Sequence, residues 1–166
     1  MKTFNYTINN EAVGSIIDFA TFKDEKNILI QIFCGEKKDI LKNILNEITK
    51  ELPNAVCIGS STDGEINNDK ITTLNTIITI SVFDKTTLKI AYVNEKDSFS
   101  NGRNLATLLC NEDTKLLITF TDGAKTNGEE FLNGISSINN KIIISGGMAG
   151  DNAHFTQTFI SCQNKI

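Results

Sequence analysis

The stretch ILIQIFCG at residues 28–35 and the stretch LLITFTDG at residues 116–123 carry the same pattern of apolar residues closed by a glycine. Ile28 and Leu116 lie 88 positions apart, as do Gly35 and Gly123, and further along Gly59 and Gly146 differ by 87. Upstream, Gly14 and Gly102 are again 88 apart, each opening a short helical stretch. A period this long marks a duplicated subdomain and not a solenoid. That any two α/β units look alike is the weaker alternative, because it leaves the near-constant offset unexplained.

Each copy continues in the same order. After the first strand, residues 36–52 place Ile40, Leu41, Ile44, Leu45, Ile48 and Leu52 on one face of an amphipathic helix, and Pro53 ends it. The run AVCIGSSTDGEI at residues 55–66 then supplies a second strand. Short β-branched strands joined by a helix of this length predict a right-handed βαβ crossover with parallel strands. Residues 76–83 and 87–93 bracket Asp84, Lys85 and Thr86 and predict an antiparallel hairpin. In the second copy the pattern predicts a helix over residues 101–110 with Ser100 as N-cap, a strand at 116–120, a helix at 127–138, and strands at 141–145 and 155–162. The expected fold is therefore α/β: internally duplicated α-β-α-β-β units at about 13–93 and 101–162, with mixed sheets of parallel central strands, flanking helices and an antiparallel hairpin. The second copy stops inside its hairpin, so a single domain incomplete at its C-terminus is expected.

A chain of 166 residues, 40% hydrophobic and 22% charged, is long enough to bury a sizeable interior. Its net charge of -4, with no run of Lys or Arg, lacks the basic footprint that nucleic acid or an anionic membrane surface demands, so neither is an expected partner. No stretch has signal-peptide character or approaches the roughly 20 apolar residues of a membrane span, and a cytoplasmic location is expected. Cys34, Cys57, Cys110 and Cys162 form no C-x-x-C pair and stand beside one histidine, His154. That composition predicts neither a metal site nor a disulfide framework, and Cys57 and Cys162 read as small buried hydrophobes.

Ligands of parallel α/β sheets sit at the carboxyl ends of the strands, which directs attention to the residues following each one. Four segments meet that rule: Cys34, Gly35 and Glu36; Gly59, Ser60, Ser61, Thr62, Asp63, Gly64 and Glu65; Asp122 with Gly123; and Gly146, Gly147 and Asp151 in GGMAGD. Glycine-rich turns present backbone amides to an anion, and the hydroxyls add donors. The carboxylates of Glu65 and Asp151, which end the two matching loops, suit an ammonium. The mixture fits a small zwitterion, although Asp-Gly and Gly-Gly are also ordinary turn dipeptides.

Catalytic readings are weaker. Residues 123–128, GAKTNG, have P-loop glycine spacing, but Glu129 occupies the position of the lysine and would repel phosphate. Neither G-x-G-x-x-G nor G-x-S-x-G occurs, and only His154 could serve Cys34 or a serine as base. No enzyme activity and no cofactor are expected.

LPNAVCIGSSTDGEI with its following hydrophobic run, FTDG, NGEEFLNGI and IIISGGMAGDNAHFTQTF, in this order and spacing, resemble the FIST N-terminal domain over roughly residues 28–159. The resemblance implies a bacterial sensory domain for signal transduction that binds a small ligand, with amino acids the expected class, and that works with a FIST C-terminal domain or a signalling output domain. The family's eukaryotic F-box members imply the alternative of a protein interaction scaffold.

Overall fold

The computed structural model describes residues 1–9, 11–67 and 69–166. Asn10, and Asn68 inside the expected first copy, lie outside the described residues. The first copy comprises β1 (Lys2–Ile8), α1 (Val13–Ile16), β2 (Ile28–Cys34), α2 (Lys38–Glu51), β3 (Val56–Ser61), the small hairpin β4 (Glu65–Asn67) and β5 (Lys70–Thr72), and β6 (Thr76–Val82). The second comprises α3 (Ser98–Leu109), β7 (Leu116–Thr121), α4 (Gly128–Ser136), β8 (Ile143–Met148) and β9 (Ile160–Cys162).

Parallel pairing with a helical crossover recurs in both copies, as the apolar runs require. Leu29 pairs with Val56 and Ile32 with Gly59; adding 87 to each number gives Leu116 with Ile143 and Thr119 with Gly146, which are also paired. The duplication therefore extends to strand register. In the first copy β2 and β3 join a five-stranded mixed sheet of order β1-β6-β2-β3-β9, whereas β7 and β8 stand as a two-stranded sheet.

Side chains alternate across each strand, so the two faces of the sheet meet different partners. Ile28, Ile30 and Ile32 of β2, with Ile78 and Ile80 of β6, pack on Leu41, Ile44, Leu45 and Ile48 of α2 to form the main core. The second core is smaller: Leu105 and Ala106 of α3, Leu117 of β7, and Phe131 and Ile135 of α4. Two polypeptide backbones approach closely where α3 crosses α4. A Cβ on Gly102 would strike the Phe131 carbonyl, and one on Gly134 would fall 2.8 Å from the Arg103 amide nitrogen. Gly14 occupies the corresponding position in α1, where its amide donates to Glu47 Oε1 of α2 at 2.6 Å.

Several local expectations are corrected. Residues 87–93 form no ladder with β6; the antiparallel partner of β6 is β1, which reaches it from the N-terminus in register from Lys2↔Val82 to Ile8↔Thr76. Hydrophobic alternation identified residues 87–93 as extended but could not name a partner, because pairing is nonlocal. The helix expected at 101–110 starts at Ser98, and its N-cap is Asp97, whose carboxylate accepts the Ser100 amide. The last strand covers only Ile160–Cys162 and pairs antiparallel with β3. β8 runs on to Met148, so Gly146 and Gly147 are strand residues and not part of a loop, and Gly59, Ser60 and Ser61 likewise lie in β3.

Substituting Gly102 with Ala should cost about 1–3 kcal/mol, the range for forcing extra atoms into a filled contact. A Cβ on Gly147 would meet nothing within 4 Å, so Gly147→Ala should change stability by no more than about 0.5 kcal/mol. Denaturant titration of both variants measures the contrast.

Candidate functional site

The two copies meet at the carboxyl ends of their parallel strands, and Ser61 is the joint. Its amide donates to the Phe159 carbonyl at 2.8 Å and its carbonyl accepts from the Gly150 amide at 2.9 Å. Its hydroxyl donates to the Gly150 carbonyl at 2.6 Å and accepts from the Phe159 amide at 2.9 Å. Both neighbours belong to the strap of residues 149–159 that carries the chain from β8 across to β9 on the first sheet.

Asp63 continues the joint by accepting the amides of Asp151 at 2.8 Å and Ala153 at 3.3 Å. Asp151 then folds the strap on itself, accepting from the Phe155, Thr156 and Gln157 amides at 3.0, 2.6 and 3.2 Å. Asn152, Ala153 and Phe155 take left-handed backbone conformations, with φ of 56°, 58° and 54°. Such residues cost on the order of 1–3 kcal/mol each and persist only where their surroundings impose them. Here the two aspartates do so. The Thr156 amide and then those of Phe155 and Gln157 hold the Asp151 carboxyl below its ordinary value of 3.8.

Glu65, only 1% exposed, points inward between the strand ends. Thr62 Oγ1 donates to its Oε1 at 2.6 Å and the Asn75 amide to its Oε2 at 3.2 Å. It lies so close to Gly35 that a Cβ there would collide with the carboxylate, which fixes glycine at that position. Ser60 turns its hydroxyl to the Ser61 carbonyl at 2.8 Å. Gly64 links Asp63 to the start of β4 at Glu65. Asp122 accepts the Ala124 and Lys125 amides at 2.9 and 3.1 Å and the Thr158 hydroxyl at 2.8 Å.

The structure thus brings Ser61, Thr62, Asp63, Glu65 and Asp151 into one interlocked cluster, in which backbone amides and hydroxyls occupy the carboxylates. Gly59, Gly146 and Gly147 stand apart from it in strand interiors. Gly59 and Gly146 serve close packing instead: a Cβ on Gly59 would strike Ser161 Oγ, and one on Gly146 the Thr119 backbone.

The open space lies beside this cluster. The face of the first sheet that carries Leu29, Val56 and Ile58 turns away from α2 and toward Leu116, Ile118 and Phe120 of β7. Phe33 and Phe120 close one end in an edge-on contact with centroids 5.7 Å apart. Between them is a cleft of about 1050 Å³, walled on a third side by residues 85–98. Its rim holds Asp122, Lys125, Gln157, Thr158 and Lys38, whose ammonium sits 5.4 Å from the centre of the Phe159 ring. Of the residues expected from the sequence, Asp122 alone lines the cleft. Lys38 and Lys125 were not among those expectations; the signal available was their place just after Gly35-Glu36 and Asp122-Gly123, at the corresponding ends of β2 and β7.

The thiols are held protonated. Burial is the main cause at Cys34, where Thr76 Oγ1 stands 3.3 Å from the sulfur, and it pushes Cys57 up to about 12 with a smaller push from Cys162. His154 Nδ1 lies 2.7 Å from the Asp151 carbonyl on the exposed strap. Among the described residues no group of three or more His, Cys, Asp or Glu side chains is placed to hold a metal ion. Nor is any helix among them long and apolar enough to cross a membrane.

Two α/β copies are joined at their strand ends, with a cleft between them. The FIST N domain model matches residues 28–166, and the chain belongs to that family of sensory, signal-transduction domains. No curated protein and no solved structure matches the chain.

Because Asp151 has a lowered pKa in the folded chain, its contribution to the strap is fully present above 3.8 and is lost as pH falls through the native value below that. Amide exchange at residues 155–157 should therefore accelerate in that acid range relative to the α2 core. Asp151→Asn should show fast exchange at these amides already at neutral pH and remove the acid step.

Proposed function

We propose that this domain is a non-catalytic cytoplasmic sensor that takes an amino acid or similar small amphipathic metabolite into the cleft between its two copies. The observation that carries the reading is the cleft itself, about 1050 Å³ with an apolar floor and both signs of charge at its rim. Small-molecule sites cluster near roughly 300–1,000 Å³ and combine apolar walls with a few convergent polar groups. Asp122 supplies the partner for an ammonium, Lys38 and Lys125 the partners for a carboxylate, and Leu29, Ile58 and Ile118 the surface for an apolar side chain. Asp63 and Asp151 hold the two copies in place around the ligand, Glu65 braces the strand ends of the first copy, and none of the three contacts the ligand. A FIST C-terminal domain or a signalling output domain reads the occupied state. The protonated thiols argue against a cysteine nucleophile.

A second reading, a protein interaction scaffold, is favoured by β8. Its outer edge has no strand partner among the described residues, and Ile143 and Met148 are 67% and 48% exposed. Unpaired edges template strand addition by another chain.

Thermal-shift titration with the common amino acids separates the two. A ligand at one hundred times its Kd stabilises by about 2.7 kcal/mol, equivalent to a shift of several degrees. We expect a saturable shift of that size for at least one amino acid, lost in Asp122→Asn and in the cleft-filling Ile58→Trp but retained in Ile143→Lys. A protein that no amino acid stabilises, and whose partner capture Ile143→Lys abolishes, would be the scaffold.

A further inference from the structure

We propose that Thr158 and Phe159 are the positioning residues of the cleft: they aim the Asp122 carboxylate and the Lys38 ammonium and tie both charges to the Ser61 joint. The inference rests on the reading of the cleft as a site for a ligand that carries an ammonium and a carboxylate. It adds which residues set those two contacts and connect them to the strap.

A carboxylate at the mouth of a cleft turns freely unless one of its oxygens is held. Asp122 is held at Oδ1. The Ala124 and Lys125 amides donate to that oxygen at 2.9 and 3.1 Å, and the Thr158 hydroxyl donates to it at 2.8 Å. Among the described residues the charged neighbour of Oδ2 is Lys125 Nζ at 3.8 Å, on a side chain that is 83% exposed. Oδ2 is therefore the oxygen left for an incoming ammonium.

The Ala124 and Lys125 amides belong to the same turn as Asp122, so they fix the carboxylate only relative to that turn. Thr158 lies 36 positions away and fixes it relative to the strap. The same hydroxyl accepts the Gly123 amide at 3.1 Å. Donating to one residue beyond β7 and accepting from the next requires a hydroxyl, which is donor and acceptor at once.

Phe159 holds the opposite charge. Lys38, the first residue of α2, places its ammonium 5.4 Å from the centre of the Phe159 ring, within cation–π range. The ring packs against the main core and so offers a fixed platform to a long, flexible side chain. The backbone of Phe159 meets Ser61 in both directions: its amide donates to Ser61 Oγ at 2.9 Å, and its carbonyl accepts the Ser61 amide at 2.8 Å. Two successive residues thus touch both rim charges and the joint between the copies.

A ligand that offers its ammonium to Asp122 Oδ2 and its carboxylate to Lys38 acts on both residues together. A ligand with one charge engages one of them. A shift at 158–159 is passed directly to the edge of β3, because Ile160 begins β9 and pairs with Ser60. Binding can bias the strap only through contacts that differ between the empty and occupied states, and these two charge contacts are such contacts.

Hydrogen exchange on the full chain without any ligand tests the connection. We expect Thr158→Val to speed exchange at the Ala124, Lys125, Phe159 and Ser61 amides by roughly tenfold, the net worth of one hydrogen bond, with amides of the α2 interior unchanged. Thr158→Ser, which keeps the hydroxyl, should restore the original rates. Asp122→Ala should speed exchange at Phe159 and Ser61 to the same extent, and the double variant Asp122→Ala with Thr158→Val no further, because both remove one contact. These variants approach that contact from its two sides, so either one that folds suffices. Unchanged rates at Phe159 and Ser61, or no recovery in Thr158→Ser, overturn the proposal. Ligand binding is read separately by thermal shift with the common amino acids. Any amino acid that stabilises the unmodified chain should bind Thr158→Val at least tenfold more weakly, and equal affinity overturns the positioning role. If none stabilises it, the ligand reading fails while the exchange rates still decide whether Thr158 links Asp122 to Ser61.

Discussion

Ser61 is the residue on which the arrangement of the two copies depends. Its backbone and hydroxyl make four hydrogen bonds to Gly150 and Phe159, which lie 89 and 98 positions away in the chain. Because these bonds use both the edge of β3 and the polar side chain at its end, they fix the strap in position and in direction. The placement of Asp63, of Asp151 and of β9 follows from them. Each such bond contributes only about 1 kcal/mol net, but leaving any of these polar groups unpaired near the interior costs more. That asymmetry makes the joint specific.

A division of labour between carboxylates and cleft follows from this joint. Carboxylates at strand ends are natural candidates for ligand contact, and in this chain Asp63, Glu65 and Asp151 are instead occupied by backbone amides and hydroxyls. Asp63 and Asp151 impose left-handed conformations on Asn152, Ala153 and Phe155 that these residues would not adopt alone. Asp122, Lys38 and Lys125 stand at the neighbouring rim and face the space between the sheets.

The copies differ in completeness of pairing. The first places its parallel pair inside a five-stranded sheet, with α2 packed on one face and the cleft along the other. The second keeps helices on one face of β7–β8 and leaves both edges of that pair without strand partners among the described residues. The same internal symmetry that makes the fold recognisable therefore also identifies which pairing positions in the second copy are open.

The sequence by itself determined the elements with a local cause. The 88-residue echo, the apolar face of residues 36–52 and the β-branched runs at 28–34 and 116–121 were legible because periodicity and turn chemistry act over a few residues. The family was legible in the order of its glycine motifs. Only the tertiary structure decided that β1 pairs with β6, that residues 87–93 find no strand partner among the described residues, that β9 joins β3, and that Gly59 and Gly146 are strand positions. It also decided that the acidic loops hold each other while Asp122 alone of them meets the cleft. Those outcomes depend on which edge or amide happens to be near in space, and a hydrogen bond spanning 88 positions leaves no trace in the residues that lie between.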